Sequence, residues 1–177
     1  PKEMGIYLSS PDTRKEVVDG EGNGMKFGCS SMQGWRLNME DAHISEADFA
    51  PGTSLFAVFD GHGGSEVAKY CAIHFGPELK ANKKYQAGRY EEALRETFLL
   101  MDELLVKPEG QAEVKSYKTE QDGADSFAGC TANVVLIKDK IAYCANAGDS
   151  RCILWSNKRV VHLSTDHKPD NEIEKNR

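Results

Sequence analysis

Phe56-Ala57-Val58-Phe59-Asp60-Gly61-His62-Gly63-Gly64 is an apolar run that ends in a carboxylate, a glycine, an imidazole and two more glycines. A short apolar run of this kind reads as a buried strand. The glycines after it allow a tight turn and a close backbone approach to a ligand, so Asp60 is held at the mouth of a sheet. The period then changes. Ala68, Ala72, Phe75 and Leu79 fall on one helical face, with Ser65 or Gly64 placed to cap it. About one strand upstream lies a second polar run, Trp35-Arg36-Leu37-Asn38-Met39-Glu40-Asp41-Ala42-His43. Carboxylates at two neighbouring strand ends, with an arginine beside them, point to a metal site adjoining a phosphate-binding cation.

Outward from that centre, residues 25–34 and 37–46 read as strands, and residues 12–24, rich in charge and glycine, as a flexible loop. Gly76-Pro77 is placed to end or bend the first helix. A second helix spans 89–107, with Tyr90, Leu94, Thr97, Phe98, Met101 and Leu105 as its inner stripe. Residues 108–125 are polar and without period, which predicts an exposed loop. Strands follow at 130–137, 141–147, 152–155 and 160–163, with hairpin turns at 138–140 and 156–158. Residues 170–177 begin a helix. This order predicts an α+β layered fold in a single domain over 1–177.

The 177 residues suffice for one packed core. A formal charge of -6 and a pI near 5.4 argue against a nucleic-acid partner and suit a site that gathers divalent cations. No apolar run approaches the roughly 20 residues that cross a bilayer, and nothing resembles a secretory signal. The expected location is intracellular, cytoplasmic or nuclear. Cys29, Cys71, Cys130, Cys144 and Cys152 form no CxxC pair and read as free thiols of a reducing compartment, without zinc-site spacing. Met4-Gly5-Ile6-Tyr7-Leu8-Ser9 fits N-myristoylation at Gly5 if Met4 is the natural start, but a plain terminal strand or tail is the favoured reading. One such chain would give only weak membrane association.

The segments GWRLNMEDAH, VFDGHGG, AGCTA, ANAGDSR and DHKP occur in an order that resembles the metal-dependent protein Ser/Thr phosphatases of the PP2C type. The resemblance implies a four-layer α-β-β-α sandwich, with metals at one end of the two sheets. It also implies hydrolysis of phosphoserine and phosphothreonine in proteins by a metal-activated water. Two Mg²⁺ or Mn²⁺ ions about 3.5–4 Å apart can bridge one water, lower its pKa and aim it at phosphorus.

Asp60 is the candidate bridging ligand, since a carboxylate can offer one oxygen to each ion. By the resemblance, Glu40 and the Gly61 carbonyl complete one ion's protein ligands, Asp41 holds metal-bound waters, and Asp149 matches the ligand of a labile third ion. Arg36 offers a planar fork to the substrate phosphate, and His62 a general acid for the leaving alkoxide. His43 and His167 read as structural. The absence of a Cys-x5-Arg loop favours direct water attack over a covalent phosphoenzyme.

The resemblance breaks at the far end. Family segments resembling DGxWD and GxxDN, which complete the other metal's ligands, are not found. The expectation is the N-terminal portion of such a domain, with weak Mg²⁺ binding and exposed sheet edges that invite self-association. Two rival readings remain: a non-catalytic module of this fold that docks a partner, and a metal-dependent hydrolase of another phosphoester. The acidic charge weighs against the second where nucleic acid is the substrate.

Overall fold

A computed structural model describes residues 7–118 and 127–176. Its first feature is a long hairpin. β1 (Tyr7–Gly22) pairs antiparallel with β2 (Met25–Arg36) through the two-residue turn Asn23-Gly24, where φ is 47° and 75°. Asn-Gly with both φ positive is the type I′ chemistry that matches strand twist. The flexible loop expected over 12–24 is therefore corrected to a strand and its turn. β1 is exposed along most of its length, so no buried face writes a period-2 pattern into the sequence. Asn23 pins the hairpin tip to the next pair of strands. Its Nδ2 donates to the carbonyls of Ala47 and Thr53, both at 2.8 Å, and Oδ1 accepts the Gly52 N–H at 3.1 Å.

β3 (Ala42–Ala50) and β4 (Thr53–Phe59) follow, then the two-residue β5 (Gly61–His62). The strand expected over 37–46 starts only at Ala42, because residues 37–41 leave the ladder and form the turn that carries Glu40 and Asp41. α1 (Glu66–Ala81) runs through Gly76-Pro77 rather than ending there. Leu79 is fully buried, and a Cβ on Gly76 would sit 3.4 Å from the Phe49 ring, so this face of the helix packs tightly on the sheet. Ser65 occupies the N-cap position without a side-chain cap; its backbone is already helical (φ −91°, ψ −12°), unlike the extended geometry of a capping residue.

α2 (Lys83–Gln86) is capped by Asn82, and α3 (Tyr90–Leu105) buries Leu94, Thr97 and Met101 from the expected stripe. α4 (Pro108–Ser116) replaces the first half of the loop expected over 108–125; proline at its first position is pre-set for a helix and lacks only an N–H that would have no helical partner. Tyr117 and Lys118 follow it outside any helix, while residues 119–125 and the Met4-Gly5 pair lie outside the described residues.

β6 (Gly129–Cys130), β7 (Ala132–Lys138), β8 (Ile141–Ala147), β9 (Ile153–Ser156), β10 (Arg159–His162) and α5 (Glu172–Lys175) complete the order. The expected turns hold, with positive φ at Asp139 (54°), Asn157 (51°) and Lys158 (61°).

The fold is α+β. β3-β4-β7-β8 form one antiparallel sheet, with β1-β2, β5-β6 and β9-β10 as separate two-stranded ladders. One face of the four-stranded sheet gives Ile44, Leu55, Ala57, Phe59, Val134 and Leu136 to the core, against α1 and α3. Phe75 is the joint, with ring centroids 6.1 Å from Phe59 and 5.4 Å from Phe98. Each such buried side chain contributes about 1.5–3 kcal/mol. No helix among the described residues is long and apolar enough to cross a membrane.

Candidate metal centre

The β3–β4 register builds the site. Ala42 pairs with Phe59, so the residues one step beyond, Asp41 and Asp60, emerge together at the same end of the ladder. Their carboxyls face each other there. Burial, then the charge and closeness of Asp60, push the Asp41 carboxyl above the usual range; Arg36 opposes this and Glu40 adds to it. Arg36, from the end of β2, reaches Glu40 with Nη2 3.0 Å from Oε2. The backbone of Glu40 abuts the glycine loop: a Cβ on Gly61 would lie 2.3 Å from its carbonyl oxygen, so only glycine fits there.

Gly61 and His62 then pair with Cys130 and Gly129. The His62 side chain lies against Gly129, where a Cβ would be 2.6 Å from Nε2, and the residue is solvent-exposed. Immediately beyond this pair, Thr131 grips the backbone of Asp60 from both sides. Its N–H donates to the Asp60 carbonyl at 2.8 Å, and its Oγ1 accepts the Asp60 N–H at 3.3 Å. Thr131 Oγ1 also hydrogen-bonds Ser150 Oγ at 2.7 Å, which brings the loop of the exposed Asp149 to the back of Asp60.

That loop is held in turn. Gly148 turns at φ 110°, its N–H donates to His167 Nδ1 at 3.3 Å, and its carbonyl accepts the His167 N–H at 2.9 Å. Asn146 Nδ2 donates to the carbonyls of Gly148 and Thr165, both at 3.0 Å, while its Oδ1 accepts from Asn133 at 2.8 Å. His167 thus has the structural role expected of it.

Residues 25–177 match the family described as Protein phosphatase 2C. The chain belongs to this family. It is 53% identical over 174 residues to Probable protein phosphatase 2C 2 of Paramecium tetraurelia, across 98% of this chain and 58% of that protein. The chain therefore spans somewhat under two thirds of the length of such curated relatives. In fold it resembles the solved structure of a C. elegans sex determining protein (TM-score 0.65, 24% identity, 96% of this chain and 38% of that one). It also resembles serine-threonine phosphatase 2C from Toxoplasma gondii (TM-score 0.63, 20% identity, 96% of this chain and 56% of that one).

Within this phosphatase 2C fold, Arg36, Glu40, Asp41, Asp60 and Gly61 gather at one sheet end, His62 stands on the adjoining ladder, and Asp149 is tied in through Ser150 and Thr131. Among the described residues no three His, Cys, Asp or Glu side chains converge closely enough to enclose an ion. The donors nonetheless suit a hard divalent cation: they are oxygens, and two carboxylates crowd each other where a cation would relieve the repulsion.

The sequence reading missed Thr131, Asn133, Asn146 and Glu66. Thr131 sits within AGCTA and Asn146 within ANAGDSR, so the motifs were visible while the roles were not. Glu66 opens α1 as an acid in a first turn, which ordinarily means a solvated partner of the helix dipole. Here it is fully buried, against Gly64 and 3.8 Å from Lys118 Nζ.

Proposed function

We propose that this chain carries the metal- and phosphate-binding motifs of a Mg²⁺- or Mn²⁺-dependent phosphatase acting on phosphoserine and phosphothreonine in proteins. The observation that carries this reading is the arrival of Arg36, Glu40, Asp41 and Asp60 at one end of the β3–β4 ladder. Asp60, Glu40 and the Gly61 carbonyl would hold the ions, Asp41 their waters and Asp149 a third ion; such ions supply an activated water and neutralise phosphoryl charge. Arg36 binds the substrate phosphate, and its side chain, 59% exposed, can turn from Glu40 to do so. His62, exposed beside the metal-facing carbonyl, donates a proton to the departing serine or threonine oxygen. The backbone grip of Thr131 keeps Asp60 in place as charge changes around it.

A second reading, a non-catalytic module that docks a partner, is favoured by one observation: no three-ligand cluster closes among the described residues. The two separate in phosphopeptide hydrolysis by the full-length protein across a Mn²⁺ titration, with chelator and Asp60→Asn as controls. Metal-dependent turnover that falls at least about 100-fold in Asp60→Asn, with an unchanged melting temperature, is the expected outcome. Folded protein without metal-dependent turnover would establish the docking module instead.

A further inference from the structure

We propose that Cys71 and Cys130 are an oxidisable thiol pair, joined by hydrogen peroxide or an organic hydroperoxide into a reversible disulfide that displaces the strand carrying Gly61 and His62. The sulfurs lie 3.8 Å apart although 59 residues separate them in sequence. Cys71 is on α1 and Cys130 on β6, so the pair joins the helical layer to the ladder beside the metal centre. Both line a cavity of about 1190 Å³ that His62 also lines, which gives a small peroxide a route to the half-buried Cys130 and the buried Cys71.

The geometry sets the consequence. A disulfide closes its sulfurs to about 2.05 Å, so one side has to move by somewhat less than 2 Å. α1 is the fixed side, with Ala68, Phe75 and Leu79 locked in the core around Cys71. β6 is the yielding side, two residues long and paired only to Gly61 and His62. Displacing Cys130 therefore shifts the strand segment set opposite Gly61 and pulls on Gly129 beneath the imidazole. It also pulls on Asp60, because the next residue is Thr131 with its two hydrogen bonds.

The chemistry balances with peroxide as the sole oxidant. One sulfur, after losing its proton, attacks a peroxide oxygen; the O–O bond breaks, and the departing hydroxide (or alkoxide, from an organic hydroperoxide) takes up that proton and leaves as water (or alcohol). The second sulfur attacks the resulting sulfenic acid, the S–O bond breaks, and that oxygen leaves with the second thiol's proton as water. Two thiols have given two electrons to one peroxide, and a dithiol reductant reverses the change.

The test treats the protein with hydrogen peroxide, blocks residual thiols with an alkylating reagent and maps the unreduced peptides by mass spectrometry. Amide exchange over residues 61–64 is measured in parallel. The expected result is a Cys71–Cys130 peptide pair lighter than its parts by two hydrogens and removed by dithiothreitol. Exchange at 61–64 should be at least about tenfold faster in the oxidised form. Cys71→Ser and Cys130→Ser should each abolish the link, leave a dimedone-reactive sulfenic acid on the remaining partner, and show no oxidation-dependent change in exchange.

Both thiols still alkylated while Cys29 is oxidised would overturn the proposal, in a measurement that needs no variant to fold. A link that forms without altering exchange at 61–64 would overturn its claim on the metal centre. Neither readout is turnover, so the result stands apart from the phosphatase reading.

Discussion

Arg36 stands between two demands. Its guanidinium holds Glu40 at 3.0 Å, and its planar fork is suited to phosphate. A charge-assisted hydrogen bond contributes about 1.5–3 kcal/mol. Arg36→Ala in the metal-loaded full-length protein should therefore raise KM for a phosphopeptide about 10- to 100-fold, with kcat changed far less. Arg36→Lys should recover only part of this, since an ammonium cannot make the paired contact. Steady-state kinetics on the three proteins decides it; an unchanged KM with a collapsed kcat would refute the substrate-binding role.

At this scale the sequence is readable where a residue breaks its context. Asp60 interrupts an apolar strand, and Glu40-Asp41 interrupts a strand entry. Thr131 and Asn146 break nothing. A hydroxyl and an amide within β-type sequence acquire their roles only when tertiary pairing brings Asp60, Ser150 and Thr165 within reach.

Among the elements, α1, α3 and the β7-β8 and β9-β10 hairpins were legible because a buried face or a turn marks each one. β1 was not. It has no buried face, and its only local signal was Asn23-Gly24, whose positive φ values mark a hairpin rather than the end of a loop. α4 failed for a related reason: its one buried residue is Gly110, so no apolar stripe announces it.

The β9-β10 hairpin is fastened at its base by Arg151, whose Nε and Nη2 meet the two oxygens of Asp166 at 2.9 and 2.7 Å. Arg151 holds the Asp166 carboxyl down at about 2, from an ordinary value of 3.8. The folded pKa is the lower one, so this fastening stabilises above pH 3.8 and is lost as pH falls through about 2. Amide exchange across 152–164 should accelerate over that window. Asp166→Asn should exchange faster at neutral pH and lose the acid-dependent step. Identical acid profiles in the two proteins would show that the pair does not hold the hairpin.

At the scale of the whole molecule, the cover over the strands is uneven, and Phe27 of β2 reaches Phe56 on the second face of the four-stranded sheet at 5.5 Å between ring centroids. The α1-α3 layer covers one face of the four-stranded sheet, while β9-β10 stands, among the described residues, as a two-stranded ladder with both outer edges unpaired. Trp155 is 65% exposed and Ile153 54%, and across the register Val160 pairs with Trp155 and Val161 with Leu154. Neighbouring strand residues point to opposite faces, so both faces of this hairpin offer apolar surface beside unpaired backbone groups. That combination is what sheet proteins ordinarily blunt with charge or cover with another element. A second copy of this hairpin supplies both missing things, an apolar face and a strand edge. The 177-residue chain should therefore sediment above its 19.6 kDa monomer mass at micromolar concentration. The combined Trp155→Lys and Val160→Lys substitutions should return it to monomer, because like charges set in exposed positions repel across the new interface and touch no core residue. Sedimentation velocity over a concentration series, with circular dichroism to confirm an unchanged fold, reads both outcomes. A wild-type chain that stays monomeric throughout would show that the exposed hairpin does not pair with itself, and association that survives both lysines would place the contact elsewhere, with the exposed Trp35 and Val17 of the β1-β2 hairpin the next surface to substitute.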